Sequence, residues 1–491
     1  MKRAFTKRKV LFFIGLVGVI CFLPSLFFFF CADDFVWIEK SRNICLSTIP
    51  DLVKEYNFTL RFRPVINLVF RLNYYIFSLK PLCYHLINVI LHIFNAFFLY
   101  LLLSHFSKDS KFNLFITFVF LSHFIHEESV FWISSLSTLL GAFLYLASLL
   151  LFMNYQDKRR KKSIYFLSIF LFSIALFSRE DSFTLPCVIL IFFYLKSANW
   201  SNSITKLKKQ IGCLSPFIII SILYLIFQLF IFQRPLFSKM FTTSPSIWMK
   251  NAFYFLVNYF FPVRLIFDFS EYKLHSFLLD LFEQNLKLSL LGLIFLVLSI
   301  GFLIFIIRLF RRKNLLFNFG ILFSFVTILP YLFLNANGQR FCYLPAIGFS
   351  LSLMGVIQIF FQKREKGHLA KVYKRLTLVI STIIILNFLI LYERGYWWWR
   401  GGDIVKNVVK QTEETLSKVP QKETVYFVDL PRRIHGAYIF HSGFSEAIKL
   451  FYPELEFEIE QIDQSDLKKI GGLADKYVFR YKDGKLIKIC D

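Results

Sequence analysis

The chain is 491 residues long, 56% hydrophobic and 20% aromatic, with 66 phenylalanines. A soluble globule of this size has no single core able to bury that much apolar surface, so the composition excludes a water-soluble domain and points to a bilayer. Lys and Arg outnumber Asp and Glu by 57 to 32, a net charge of +25, and where these charges sit decides between a nucleic-acid partner and membrane orientation.

A basic stretch, 1–9, precedes an apolar run at about 10–31. That run is too long for a signal-peptide h-region and reads as an uncleaved signal anchor. Further apolar runs fall at about 82–103, 112–126, 130–153, 163–178, 182–195, 211–232, 287–307, 315–334, 341–361 and 373–392. They predict a membrane all-α bundle of about eleven transmembrane helices, the runs near sixteen residues implying thin or tilted crossings. With the N-terminus inside, the linkers 158–162, 206–209, 308–313 and 363–375 all face the cytoplasm, as the positive-inside rule requires. The cytoplasmic tail and linkers then account for roughly the whole net charge of +25. Orientation explains the basicity, and nucleic acid is not an expected partner.

The segment 248–265 is apolar but interrupted by Lys250, Asn251, Asn258, Pro262 and Arg264. As a twelfth span it would push the 308–313 and 363–375 clusters outside, so it reads as an interfacial or re-entrant element within an external loop, 233–286. A second external loop covers 32–81 and contains the sequon Asn57-Phe58-Thr59. The eight cysteines (Cys21, Cys31, Cys45, Cys83, Cys187, Cys213, Cys342 and Cys490) stand singly, without CxxC or metal-ligand spacing. The membrane domain is expected over 1–393, ending in the interfacial aromatic run YERGYWWW. Residues 394–491 are expected to form a small extracytoplasmic α/β domain. Its signals are a helix near 402–418, a strand over 424–430, a helix near 445–452, and the hairpin KYVFRYKDGKLIKI turning at Asp483-Gly484.

Burying charge at membrane depth is costly and usually has a reason. Four polar clusters fall on the external side: Asp33-Asp34; His123, His126, Glu127 and Glu128; Arg179-Glu180-Asp181; and Gln339-Arg340. Two of the connections are too short to leave the membrane as free loops, and convergence on one water-filled cavity is the economical reading. His85, Asn88, His92 and Asn95 form a polar stripe down one helix, which should face the bundle and suits interhelical hydrogen bonding as well as catalysis. Taken alone, each acidic pair also fits a solvated loop, and Arg179 beside Glu180 and Asp181 fits a local ion pair. His123 and His126 with the adjacent glutamates leave a divalent metal conceivable, but no third ligand is dictated and no cofactor is expected.

The run from Asp33 to Leu103 resembles the multi-pass glycosyltransferases of the GT-C superfamily, above all protein O-mannosyltransferases, transmembrane tetratricopeptide-repeat mannosyltransferases and their bacterial relatives. The matching positions are Asp33 and Asp34; Arg63 and Pro64; Tyr84, His85, Asn88 and His92; His123, Glu128, Val130 and Trp132; Arg179, Glu180, Leu185 and Pro186; and Gln339, Arg340, Tyr343 and Pro345. Departures are Phe124 for a proline, Arg179 for lysine, Gln339 for glutamate, and the lack of a repeat array after the last span. The resemblance implies a bacterial inner-membrane enzyme that transfers a sugar from a polyprenyl phosphate, outside the membrane, to a hydroxyl of a glycan, lipid or protein acceptor. Asp33 or Asp34 would take the acceptor proton, Asp33 being slightly favoured. Arg340, and more weakly Arg63 and Arg179, would hold the lipid phosphate. Glu128 and Glu180 would hold acceptor hydroxyls or orient those arginines, and 248–265 would form a lid. Two readings compete with simple transfer: a lipid or glycan flippase, which predicts charges near the midplane and internal repeats, and ligation of a whole lipid-linked glycan.

Overall fold

The computed structural model describes residues 6–42, 62–158, 161–196, 203–231, 241–262, 306–362, 366–465 and 476–489. α1 (Lys7–Phe22) starts at Thr6, whose hydroxyl caps the Lys9 amide, and continues into a 3₁₀ turn, Leu23–Phe27, opened by Pro24. α2 (Asp33–Arg42) carries both aspartates in its first turn, where the helix dipole favours acid. α3 (Pro64–Phe77) and α4 (Pro81–Phe106) both begin at proline, whose missing N–H belongs to the unbonded first turn. α5 (Ser110–Ser122), the short α6 (Glu127–Phe131), α7 (Leu136–Lys158), α8 (Lys162–Ser178), α9 (Leu185–Lys196) and α10 (Ser203–Ile231) follow. α11 (Pro245–Phe260), α12 (Leu315–Leu332), α13 (Tyr343–Gln362) and α14 (Lys366–Leu416) complete the bundle.

Among the described residues, seven helices are long and apolar enough to cross a bilayer, or eight if α5 and the bent segment after it form one span. The sequence predicts about eleven, and the shortfall has identifiable sources. α8 has 17 residues and α9 has 12, so at about 1.5 Å per residue α8 reaches only about 25 Å, against a hydrocarbon core of about 30 Å. The run expected at 287–307 lies almost wholly outside the described residues. The molecule is a multi-pass helical membrane bundle with a small β-rich C-terminal domain.

Two expectations are revised in detail. The 248–265 segment yields α11, whose Asn251 amide donates to the carbonyls of Leu332 and Leu334 at 3.0 and 2.8 Å, tying it to the end of α12; Arg264 and the rest of the 263–286 loop lie outside the described residues, as does the sequon at 57–59. The boundary drawn at 393 falls inside α14, a continuous helix of 51 residues. At about 77 Å this helix is more than twice the hydrocarbon thickness. No proline breaks it, and a helical glycine costs only about 1 kcal/mol. Gly402 is instead a contact point: a Cβ there would lie 2.9 Å from the Phe29 amide nitrogen. α12 and α13 also pack backbone to backbone, since a Cβ on Gly320 would meet the Ser352 nitrogen at 2.4 Å and one on Gly355 the Phe317 nitrogen at 2.4 Å.

Beyond α14 lie β1 (Thr424–Val428), a two-strand hairpin of β2 (Arg433–Ile434) and β3 (Ala437–Tyr438), α15 (Phe444–Phe451), β4 (Glu458–Ile462), β5 (Tyr477–Lys482) and β6 (Lys485–Lys488). The main sheet has order β4-β1-β5-β6, with β1 parallel to both neighbours and β5–β6 antiparallel. Asp483 and Gly484 turn β5 into β6 with positive φ at both positions, the type I′ geometry of an Asp-Gly hairpin.

Candidate active site

The site lies at the end of the bundle that carries the C-terminal domain. Ala32 adopts φ 47, a left-handed conformation that costs a non-glycine residue about 1 kcal/mol. This turn brings Asp33 and Asp34 to the start of α2, where their environments diverge. Asp34 is fully buried: its Oδ1 accepts from the Ser134 amide at 2.8 Å and the Ser134 hydroxyl at 2.5 Å, and its Oδ2 accepts from the Cys31 amide at 3.0 Å. Burial pushes its carboxyl up to about 7, outweighing these donors, which pull the other way. Asp33 is half-buried, and its Oδ1 accepts a hydrogen bond from the Ser442 hydroxyl of the C-terminal domain.

Glu127 and Glu128 open α6, and each finds an arginine from a distant segment. Glu128 is fully buried; it accepts from the Gln339 amide at 2.8 Å, from Nη1 of Arg340, and from the Tyr438 hydroxyl at 3.1 Å. Arg340 lies over the rings of Trp132 and Phe341, 5.1 and 4.9 Å from their centroids, and its side chain is 20% exposed. Its hydrogen bonds among the described residues all run through Nη1, which also donates to the Tyr438 hydroxyl at 3.2 Å. Glu127 pairs with Arg394 of α14 at 2.5 Å, and both side chains are only 2% exposed. Arg394 donates in addition to the His435 carbonyl at 2.5 Å.

Across the site, Arg63 grips Glu180, with Nη2 at 2.7 Å and Nε at 3.1 Å from one oxygen, and its Nη1 reaches the Ser137 hydroxyl at 3.0 Å. The Glu180 side chain is 33% exposed. Arg179 is buried and committed: Nε donates to Asp181 at 3.1 Å and to the Tyr331 hydroxyl at 3.2 Å, Nη2 to the same hydroxyl at 2.9 Å, and Nη1 to Thr138. Tyr331 in turn donates to Asp181.

The polar stripe of α4 faces the bundle, each of its four residues being at most 1% exposed. Asn88 donates to the Trp132 carbonyl at 3.0 Å and so holds the chain just beyond Glu128. His92 bridges the Leu121 carbonyl at 3.1 Å and the Tyr343 hydroxyl at 2.7 Å. Because a carbonyl only accepts, Nε2 carries the proton and Nδ1 accepts from Tyr343. Asn95 donates to the same hydroxyl at 3.1 Å. His85 packs edge-on against Phe28, ring centroids 5.7 Å apart. His123 caps the turn before α6 by accepting from the Ile125 amide at 3.2 Å. Among the described residues, no group of three or more His, Cys, Asp and Glu is placed to hold a metal ion.

The expected site residues therefore meet at one end of the bundle: Arg63 is bonded to Glu180, Gln339 and Arg340 to Glu128, Asn88 to the Trp132 carbonyl and His92 to Tyr343, while Asp34 reaches Ser134 two residues past Trp132 and His85 makes no side-chain hydrogen bond among the described residues. Sequence reasoning passed over Ser134, Tyr331, Arg394, Tyr438 and Ser442. Arg394 alone carried a signal, an arginine embedded in an aromatic run, which was absorbed into the interfacial girdle. Beside the network, between α11, α12 and α13, lies an apolar cavity of about 480 Å³ lined by Phe255, Tyr259, Phe325, Phe349 and Leu353, among others. The Tyr259 hydroxyl donates to the Cys342 carbonyl at 2.9 Å, two residues from Arg340.

No family model matches the chain. Over 200 residues, 38% of this chain, it is 26% identical to the human protein O-mannosyl-transferase TMTC3, the match covering 21% of that protein. A protein O-mannosyl-transferase of Caenorhabditis elegans is 25% identical over 356 residues, 69% of this chain and 47% of that protein. The chain thus spans between about a fifth and about half of the length of the curated relatives it matches. Among solved structures, ArnT from Cupriavidus metallidurans in the apo state shares the fold with a TM-score of 0.52 at 12% identity, over 96% of this chain and 93% of ArnT. The apo Archaeoglobus fulgidus oligosaccharyltransferase gives 0.51 at 12% identity, over 92% of this chain and 64% of its own. The sequence matches and the shared fold point together to the GT-C glycosyltransferase superfamily.

Proposed function

We propose that the protein transfers a sugar from a polyprenyl-phosphate donor to an acceptor hydroxyl on the extracytoplasmic face of a bacterial inner membrane, with Asp33 as general base. One observation carries this reading. At the polar end of the bundle, Asp33 is half-buried with a single side-chain hydrogen-bond partner among the described residues, whereas Asp34 is sealed with both oxygens in use. A base must meet its substrate, so the exposed member of the pair takes the chemical role.

In the proposed step the acceptor O–H gives its proton to Asp33 as the acceptor oxygen bonds the anomeric carbon. The bond from that carbon to the phosphate oxygen breaks, and polyprenyl phosphate leaves. Arg340 meets the charge growing on the leaving phosphate, since Nε and Nη2 make no other hydrogen bond among the described residues. Glu128 holds Arg340 in place. Glu180, steadied by Arg63, is the second carboxylate open to an acceptor hydroxyl. Arg179, Asn88, His123 and Tyr343 act as positioning groups, and His85 packs against the chain leading to Asp33. The apolar cavity suits part of the polyprenyl tail, with α11 as its wall rather than a lid.

The basic linker 308–313 precedes α12, and the basic stretch 371–375 lies in the first turns of α14, just after α13 ends; both are at helix ends away from the polar residues, which supports a cytoplasmic N-terminus and an external site. The test is sugar transfer by purified protein from a panel of undecaprenyl-phosphate hexoses to a cell-envelope extract, followed as undecaprenyl phosphate released. The Asp33→Asn, Asp34→Asn double variant should insert into the membrane and release none. Full activity in that variant would refute the reading.

A further inference from the structure

One eight-residue segment of the C-terminal domain, His435 to Ser442, reaches two of the four acidic residues that open α2 and α6 and the arginine partner of a third. The Ser442 hydroxyl donates to Asp33. The Tyr438 hydroxyl donates to Glu128 at 3.1 Å and accepts from Arg340 at 3.2 Å. The His435 carbonyl accepts from Arg394, the partner of Glu127. The segment is docked along its backbone as well: the Ala32 amide donates to the Ile439 carbonyl at 2.8 Å. Gly443, at φ 80, lies so close that a Cβ there would sit 2.3 Å from the Ala32 oxygen. The Tyr438 ring is held between Trp132 and Trp398, at 4.5 and 5.8 Å between centroids, and the His435 ring stacks on Trp397 at 3.7 Å.

We infer that Ser442 and Tyr438 are positioning residues of the transfer site, so that the C-terminal domain completes that site. Ser442 holds the carboxylate of Asp33 by one oxygen and leaves the other toward the acceptor. Tyr438 bridges Glu128 and Arg340 and fixes the guanidinium that meets the donor phosphate. This inference rests on the proposed transferase reading. The two side chains act on different partners of the reaction, which separates their effects: Ser442 touches the base, and Tyr438 touches the phosphate-binding cation.

The test uses full-length protein and two readouts, turnover of undecaprenyl-phosphate hexose and binding of undecaprenyl phosphate itself. Losing a hydrogen bond to a charged group is worth at least about tenfold. Ser442→Ala should therefore lower kcat by about tenfold with donor KM and undecaprenyl phosphate binding unchanged, and Ser442→Thr, which keeps the hydroxyl, should restore it. Tyr438→Phe keeps the stacked ring and should weaken undecaprenyl phosphate binding by about tenfold. Wild-type kcat and binding in both variants, while Asp33→Asn is dead, would overturn the positioning roles alone. Loss of kcat and binding in equal measure with a lowered melting temperature would also overturn them, as a merely structural effect. Normal turnover by Asp33→Asn would overturn the transferase mechanism and this inference with it.

Discussion

On the inner side of the polar network, Asp34, the Glu127–Arg394 pair and the Arg179–Asp181–Tyr331 cluster are buried with their hydrogen-bonding groups in use. On the outer side, Asp33, Glu180 and Arg340 are each partly exposed. The two sides use the same residue types and differ in their exposure. A buried, saturated ion pair fixes the relative positions of helices, and removing one partner strands the other. A partly exposed group is accessible to a substrate. Charge in a membrane protein is thus scaffold on one side of this site and candidate chemistry on the other.

Breaking the inner side should give the largest loss of stability. Arg394→Ala takes the arginine away from the buried Glu127 carboxylate, a change worth about 3–5 kcal/mol, and should show as poor accumulation in the membrane and a sharply lowered melting temperature in detergent. Breaking the outer side should spare the fold. Arg340→Lys keeps the charge opposite Glu128 but gives up the planar fork, and should reduce donor turnover by about tenfold or more with little change in melting temperature. A smaller effect sharpens the contrast. The folded-state carboxyl of Asp34 sits at about 7, above its usual value of 3.8. The folded protein therefore binds more protons than the unfolded chain between those values, so this contribution is fully present below about pH 4 and is lost as pH rises through about 7. The wild-type melting temperature should fall from about pH 5.5 to about pH 8.5, and Asp34→Asn should flatten that fall.

Much of the site was legible because polar residues in apolar runs stand out. Asp33, Glu128, Glu180 and Arg340 were visible as charges at span ends, Arg63 through the family resemblance, and the stripe of α4 from its spacing. The Asp-Gly turn and the strand at β1 were equally plain. The span count was less legible, because apolar runs of twelve to seventeen residues such as α8 and α9 have the composition of a span without its full length. The boundary drawn at 393 falls inside α14 because the helical pattern runs on without a break past the interfacial aromatic run. Tyr438 and Ser442 lie some three hundred to four hundred residues from their partners Glu128 and Asp33, and no periodicity or local motif reports such a contact. β4, EIEQI, has no counterpart among the elements expected from the sequence.

The most direct test sets the two neighbouring aspartates against each other in single variants of purified full-length protein. Turnover of undecaprenyl-phosphate hexose and melting temperature would be measured on the same preparations. Asp33→Asn should lose about a hundredfold or more of its turnover and keep the wild-type melting temperature, whereas Asp34→Asn should lose stability at acid and neutral pH and retain turnover in the fraction that folds. Full turnover in Asp33→Asn, with catalysis lost instead from a stably folded Asp34→Asn, would contradict the assignment.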